Sequence, residues 1–179
     1  MKLVILDRDG VINQDSVHYI KSPNEWIPIP DSLESIARLN QHGFKVIIAT
    51  NQSGIGRGLF DIETMNAINK KMLDLLGQVG GHIDAIFYCP HTADEACKCR
   101  KPKSGMLEEI SSRFNMKLTN IPSVGDAQRD LEAYQSVDAQ PILVKTGKGE
   151  ETLTEKNYPK NTWIFNNLSE AVDKIIQNK

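Results

Sequence analysis

Apolar positions along the chain fall into two alternating patterns, short runs of strand length and longer segments with helical spacing. Lys2–Leu6 reads as a buried strand that ends at Asp7. Asp31-Ser32-Leu33-Glu34 then opens a helix, with Asp31 or Ser32 as the cap and an acid early in the first turn. Ile36 and Leu39 carry its apolar stripe, and Gly43 stops it. Phe44–Ala49 is a second buried strand, followed by the polar loop Thr50-Asn51-Gln52-Ser53. Asp61 caps a helix whose inner face is Met65, Ile68, Met72, Leu75 and Leu76. Beyond it the pattern predicts a strand over Ile83–Tyr88, a helix over Ser104–Phe114 and a strand over Ile121–Val124. A helix near Arg129–Gln135, a strand over Pro141–Val144 and a short strand over Trp163–Phe165 follow. The last helix starts at a Ser169 cap and runs to Ile176.

Strands separated by helices need crossover connections, which parallel pairing allows. The expected architecture is therefore α/β, a three-layer sandwich around a mainly parallel, Rossmann-like sheet. No linker, repeat or low-complexity stretch divides the chain, so residues 1–179 read as one domain. Gln14–Pro30 lacks helical period and holds Pro23, Pro28 and Pro30. It reads as a small hairpin flap over the C-terminal edge of the first strand. No stretch is long enough for a large cap domain.

Charge narrows the partners. Lys and Arg number 21 against 23 Asp and Glu, a net charge of −2, whereas a nucleic-acid surface normally shows a basic excess. A local basic pocket for an anionic metabolite is still compatible with that balance. No apolar run approaches the roughly 20 residues that span a bilayer. Met1 through Leu6 is too short for an export signal, and Asp7-Arg8-Asp9 breaks it. These readings point to the cytoplasm, away from nucleic acid and membranes.

Ligands of open α/β sheets bind beyond the carboxyl ends of the strands. The polar residues that fall there are Asp7 and Asp9, Thr50 to Ser53, Cys89 onward, and Gly125-Asp126. Three acids on one rim suit a hard cation of the Mg²⁺ type, with positions left for a substrate phosphate. An Asp-x-Asp alone is also an ordinary turn. Its place directly after a strand, followed by Gly10 and matched by a second strand-terminal Gly-Asp, favours the cation site. All three cysteines lie between positions 89 and 99. Cys89, His91, Cys97 and Cys99 make a Cys₃His set suited to a closed structural Zn²⁺ site. Reduced surface cysteines are the alternative, and the polar neighbours Thr92, Asp94, Glu95 and Lys98 argue against a packing role.

Asp7-Arg8-Asp9-Gly10-Val11-Ile12-Asn13 resembles the first motif of the haloacid dehalogenase superfamily of aspartyl-phosphate phosphatases. Ala49 through Gly54 is similar to the second motif, Lys101 to the third, and Gly125-Asp126 with Asp130 to the fourth. The resemblance runs in order over nearly the whole chain. It implies that Asp7 attacks phosphorus and becomes an aspartyl phosphate. Asp9 would protonate the leaving alkoxide, starting from its protonated form, and then deprotonate the attacking water. Thr50, Lys101 and Mg²⁺ would neutralise the phosphoryl charge, with Mg²⁺ on the Asp7 side chain, the Asp9 carbonyl and Asp126. Asp130, one helical turn beyond Asp126, would orient a water or Lys101, or else is a solvated helix acid.

The Cys-x-His…Cys-x-Cys-Arg-Lys-Pro block is similar to that of heptose 1,7-bisphosphate 7-phosphatases and of histidinol-phosphate phosphatases. A zinc loop over residues 89–99 would then fix Lys101 over the phosphate. Tyr19 through Pro23, Thr50 through Gly58 and Thr146 through Gly149 also resemble the heptose enzymes. The implied substrate contacts are Asp15, Ser16, Val17 and His18 after the first motif. Asn51, Gln52 and Ser53 would add to them from the second motif, with Arg100 beside Lys101. Arg57 would anchor a second phosphate, although a plain flexible turn is the alternative for Gly54 to Gly58. The stretch at 15–18 departs from an Asp-His-Gly-Tyr pattern, and Ala127 stands where the heptose enzymes often carry a contacting Lys. That contact would come from elsewhere, such as Arg129. Lys148, between two glycines, would meet a phosphate or sit in a plain turn. The resemblance implies a monomeric phosphatase that removes the 7-phosphate of a heptose bisphosphate in surface-polysaccharide precursor synthesis. A histidinol-phosphate phosphatase is the second reading. A non-catalytic zinc-dependent binding module is the third, disfavoured by the complete set Asp7, Asp9, Thr50, Lys101 and Asp126.

Overall fold

Six parallel strands form one sheet in the order β3-β2-β1-β4-β5-β6. The structure is a computed structural model and describes residues 1–178. The strands are β1 (Lys2–Leu6), β2 (Phe44–Asn51), β3 (Ala85–Cys89), β4 (Pro122–Gly125), β5 (Gln140–Val144) and β6 (Trp163–Phe165). The helices are α1 (Ser32–Gln41), α2 (Ser53–Gly56), α3 (Ile62–Gln78), α4 (Gly105–Phe114), α5 (Gln128–Ser136), α6 (Gly149–Glu155) and α7 (Leu168–Gln177).

The three-layer arrangement follows from the two-residue period of β1. Val4 and Leu6 point into one core, which packs α1, α3 and α7 through residues such as Ile36, Ile68 and Val172. Leu3 and Ile5 point into the other, with Leu107 of α4 and Leu131 of α5. Each fully buried Leu or Ile contributes about 1.5–3 kcal/mol relative to exposure, so the continuous apolar run of β1 specifies a central strand covered on both faces. From β1 the chain winds outward through β2 and β3, then returns to β4 on the opposite side. The strand order reverses between β1 and β4, which opens a crevice at their carboxyl ends.

Several local expectations are corrected. The flap is not a hairpin. Gln14–Pro30 is a loop with a single 3₁₀ turn at Pro23–Glu25 and one bridge between Asn13 and Pro28. The Lys71 ammonium pins it by donating to Pro23 O and Trp26 O at 2.7 and 2.8 Å, and the Trp26 ring is fully buried beneath it. Neither Asp31 nor Ser32 caps α1 through its side chain. Asp31 is left-handed at φ +64°, and the Ser32 hydroxyl donates to Ile12 O at 2.7 Å instead. The last helix is capped by Asn167, whose Oδ1 accepts from Glu170 N, and not by Ser169. β2 extends through Asn51, and residues 53–56 form a short helix where a loop was expected. β3 starts at Ala85 because the Asp84 carboxylate has taken the Val46 N–H. Helix α6 was not foreseen, since its sequence offers one leucine and no apolar stripe. Among the described residues, no helix is long and apolar enough to cross a membrane.

Candidate active site

The crevice holds a cleft of about 170 Å³ lined by Asp7, Asp9, Thr50, Asn51, Gln52, Ser53, Arg57, Arg100, Arg129 and Lys148, together with Asp15, Ser16, Val17, Tyr19 and Ile20 of the flap loop. Its floor is built from strand ends. Asp7 directly follows β1, and its N–H donates to Val124 O of β4 at 2.9 Å. Asp126 directly follows β4. Lys101 reaches in from the chain between β3 and α4, fully buried, and places its ammonium 3.1 Å from Asp7 Oδ1 and 2.7 Å from Asp130 Oδ1. It also donates to Ala49 O at 2.8 Å.

This floor is short of positive charge. Burial pushes the Asp7 carboxyl up from 3.8 to about 6, partly offset by Lys101 and reinforced by Asp130 and Asp9. Burial likewise pushes Asp126 well above the ordinary carboxylate range, with Asp130 and Asp7 adding to it. Asp130 is also buried, yet Lys101 and Arg129 outweigh the desolvation and hold it below the ordinary value. Lys101 keeps its proton. Burial lowers its affinity, but Asp130 and Asp7 raise it further. Asp130, with the closer contact, takes most of the ammonium's compensation and leaves Asp7 the more exposed to neighbouring negative charge.

Asp7, Asp126 and Asp130 each offer a carboxylate oxygen, all within 4.8 Å of one another. Buried carboxylates this close disfavour one another's charged forms unless a cation joins them. The set therefore fits a hard divalent ion. With Asp130 engaged by Lys101, Asp7 and Asp126 are the carboxylates available to it. Asp7 Oδ1 takes both the Lys101 contact and a 2.8 Å bond from Arg8 N, which leaves Oδ2 for phosphorus or an ion. Asp126 Oδ2 accepts from Lys148 N at 2.8 Å. Two glycines make room for it. A Cβ on Gly10 (φ +85°) or on Gly147 (φ +58°) would overlap Asp126 Oδ2.

Asp9 has a different environment. Its Oδ1 accepts from Arg8 Nε at 3.0 Å and Asn13 Nδ2 at 2.9 Å, and its Oδ2 from Arg8 Nη2 at 3.3 Å and Gln52 Nε2 at 3.0 Å. Burial pushes its carboxyl up, but the Arg8 guanidinium and these hydrogen bonds outweigh it and hold Asp9 below the ordinary value. At rest it is a carboxylate, contrary to the protonated start expected of it. Gln52 Nε2 also donates to Thr50 Oγ1 at 3.0 Å, tying the second strand end to Asp9.

Asn51 is used on protein as well as facing the cleft. Its carboxamide exchanges two hydrogen bonds with the Lys101 backbone, at 3.0 and 3.1 Å. Arg100 donates to His91 O at 3.3 Å while lining the cleft. His18 is not among the lining residues, and Val17 lines the mouth while 85% exposed. Residues the sequence reading did not assign to the site are Arg8, Asn13, Tyr19 and Ile20. A charged Arg8 sandwiched between a buried strand and a second acid was the available sign, since it can only be buried with a partner.

Cys89, His91, Cys97 and Cys99 bring their donor atoms within 4.8 Å of one another. Cys89 Sγ lies 3.7 Å from Cys97 Sγ and 3.6 Å from His91 Nδ1, and His91 Nδ1 lies 3.4 Å from Cys99 Sγ. A tetrahedron with metal–sulfur bonds of about 2.3 Å has edges of about 3.8 Å, so three of the four separations suit an ion. Cys89 and Cys99 are closer, at 2.9 Å. Burial pushes the Cys89 thiol up to about 12, with hydrogen bonding to Cys99 adding to it; a bound dication would reverse that by taking the thiolate.

Comparison with known proteins places this geometry. The family model described as polynucleotide kinase 3 phosphatase matches residues 2–173. The chain is 50% identical over 177 residues to the D-glycero-beta-D-manno-heptose-1,7-bisphosphate 7-phosphatase of Bordetella bronchiseptica, covering 99% of each. It is 51% identical over 175 residues to the protein of that name from Pseudomonas aeruginosa, covering 98% of each. The crystal structure of the D,D-heptose 1,7-bisphosphate phosphatase from B. bronchiseptica complexed with magnesium and phosphate superimposes with a TM-score of 0.99, at 49% identity over the full length of both chains.

Proposed function

The chain belongs to the D-glycero-beta-D-manno-heptose-1,7-bisphosphate 7-phosphatase family of haloacid dehalogenase-like phosphatases, and from that membership we propose that it removes the 7-phosphate of a heptose 1,7-bisphosphate through an aspartyl-phosphate intermediate. It is a phosphoric monoester hydrolase. The observation that carries the reading is the buried floor of Asp7, Asp126 and Lys101 beneath a cleft walled by Arg57, Arg100, Arg129 and Lys148.

Each step follows from that arrangement. A phosphate monoester dianion repels a carboxylate nucleophile, so its charge must be offset before Asp7 can approach. The Thr50 hydroxyl and the cleft's guanidinium groups supply donors for the phosphoryl oxygens, and the buried Lys101 ammonium offsets charge from beneath Asp7. Mg²⁺, held by the carboxylates of Asp7 and Asp126 with the Asp9 carbonyl, would offset charge on the same oxygens; the relative complexed with magnesium and phosphate supports this. One oxygen of the Asp7 carboxylate forms a bond to phosphorus as the phosphorus–alkoxide bond breaks, and the alkoxide takes the proton from Asp9. Asp9 is a carboxylate at rest, so the proton it delivers is taken up from solvent as the dianionic ester arrives and, as a like charge, raises its proton affinity. In the second step Asp9 takes a proton from water, the oxygen bonds to phosphorus, and the Asp7–phosphorus bond breaks.

A cleft of about 170 Å³ is below the usual 300–1,000 Å³ of small-molecule sites. It accommodates the transferred phosphoryl group and leaves the sugar at the mouth. There Arg57 and Arg100 are the anchors for a second phosphate, with Asp15, Ser16 and Val17 of the flap loop beside the sugar. Zn²⁺ on Cys89, His91, Cys97 and Cys99 would brace the segment that leads into Arg100 and Lys101, a structural role away from the reaction. The product would feed synthesis of nucleotide-activated heptose for surface polysaccharide.

The test is turnover of heptose 1,7-bisphosphate, histidinol phosphate and fructose 1,6-bisphosphate by the purified protein, with Arg57→Ala and Arg100→Ala alongside. The reading expects preference for the heptose bisphosphate, with KM raised in both variants. Preference for histidinol phosphate overturns it.

A further inference from the structure

Arg8 and Asn69 are buried and polar, and neither lines the cleft itself. We infer that together they are positioning residues that aim the Asp9 carboxyl at the leaving oxygen of the ester. The inference rests on the reading of Asp9 as proton donor.

Arg8 is completely buried, and a buried guanidinium requires partners for its forked donors. Two of its nitrogens face the two oxygens of Asp9, at 3.0 and 3.3 Å. A third, Nη1, donates to Asn69 Oδ1 at 3.1 Å. Adjacent residues of an extended strand point to opposite faces, so Arg8 and Asp9 can pair only because the chain turns there. Val11, Ile12 and Asn13 all direct their N–H groups to Arg8 O. Asn69 sits 61 positions away, on a face of α3 whose neighbours Ile68 and Met72 are fully buried against the sheet. That helix therefore supplies a fixed reference point. Gln52 holds Asp9 from the cleft side, while Asn13 and Arg8, both fully buried, hold it from within the protein and Asn69 sets the plane of the Arg8 fork. A fork anchored at its far end leaves the carboxyl little freedom to rotate, and proton transfer within about 3 Å depends on that orientation.

The test uses the dependence of rate on the leaving group, which a purely structural role would not change selectively. A sugar alkoxide needs a proton as it departs, whereas p-nitrophenolate does not. Asn69→Leu, Arg8→Lys and Asp9→Asn are compared with wild type in single-turnover cleavage of the heptose bisphosphate and of p-nitrophenyl phosphate. Asn69→Leu should slow the sugar ester about 10-fold and the aryl ester no more than about 2-fold, with KM unchanged; Arg8→Lys should widen that split. Asn69→Asp keeps the acceptor and should stay within about 3-fold of wild type on both. Should the leucine variant fail to fold, Arg8→Lys carries the comparison. Equal losses on both esters, or an Asn69→Asp as impaired as Asn69→Leu, would overturn the positioning role while leaving Asp9 in place. If Asp9→Asn itself slows both esters alike, the proton-donor reading of Asp9 fails and takes the inference with it.

Discussion

Replacing Asp7 by Asn should end turnover and, in the absence of divalent cations, make the folded protein more stable. The Asp7 carboxyl is pushed from 3.8 to about 6 by burial and by the neighbouring Asp130 and Asp9. A native-state value above the unfolded one means that the folded chain binds this proton more tightly. Asp7 therefore adds nothing adverse below about pH 4, and stability is lost progressively as pH rises through 6. From 3.8 to about 6, the penalty above that range is roughly 3 kcal/mol at about 1.4 kcal/mol per decade. Asparagine has a similar shape and no charge to bury. Lys101 loses one partner but keeps Asp130 at 2.7 Å and the Ala49 carbonyl at 2.8 Å; its attraction is already included in the value of about 6, so the gain stays at about 3 kcal/mol. For a chain of this length that corresponds to a rise of about 6–12 °C in melting temperature. The assay is thermal unfolding in buffer free of divalent cations, at pH 7.5 and pH 5. The asparagine variant should melt higher at pH 7.5, and the gap should narrow by about half at pH 5 and close only toward about pH 4, as wild-type Asp7 takes up its proton. Added Mg²⁺ should close it from the other side by stabilising the wild type. A variant no more stable than wild type at pH 7.5, or an equal gap at both pH values, would refute the claim that the floor carries excess negative charge.

Lys101→Met should lose activity and cost about 3–5 kcal/mol, because it strands Asp7 and Asp130 as buried carboxylates without their shared cation; denaturant titration measures it. Cys97→Ser should lower bound zinc, read by metal analysis, and lower the melting temperature, while protection of amides over residues 89–101 falls in hydrogen exchange. An unchanged melting temperature after verified metal loss would count against a structural ion there.

The chemistry-bearing residues were legible because the motifs are local. Asp-x-Asp-Gly after one apolar run, a polar stretch after the next and Gly-Asp after the fourth each announce a strand end. A parallel sheet then collects those ends on one edge. The four metal-type donors between 89 and 99 were legible for the same reason, since eleven residues of loop hold all of them. Elements without such local signatures were misjudged. The flap was given a hairpin, although Lys71, 41 residues beyond Pro30, decides its course by capturing two of its carbonyls. Helix α6 lacks an apolar stripe and is tied instead by the Thr152 hydroxyl, which donates to Asp126 O at 2.8 Å.

What the chain determines by itself is which residues stand at strand ends and which faces of its strands and helices are apolar, since both follow from periods of two and of 3.6 residues. What the folded molecule alone decides is how the charges among those residues are shared. The strand order sets Asp7 and Asp126 side by side, the reach of Lys101 gives its closer contact to Asp130, and the packing of α3 delivers Asn69 to Arg8. Hydrogen bonds and ion pairs act over about 3 Å, and no local period records which distant side chains will come within that distance.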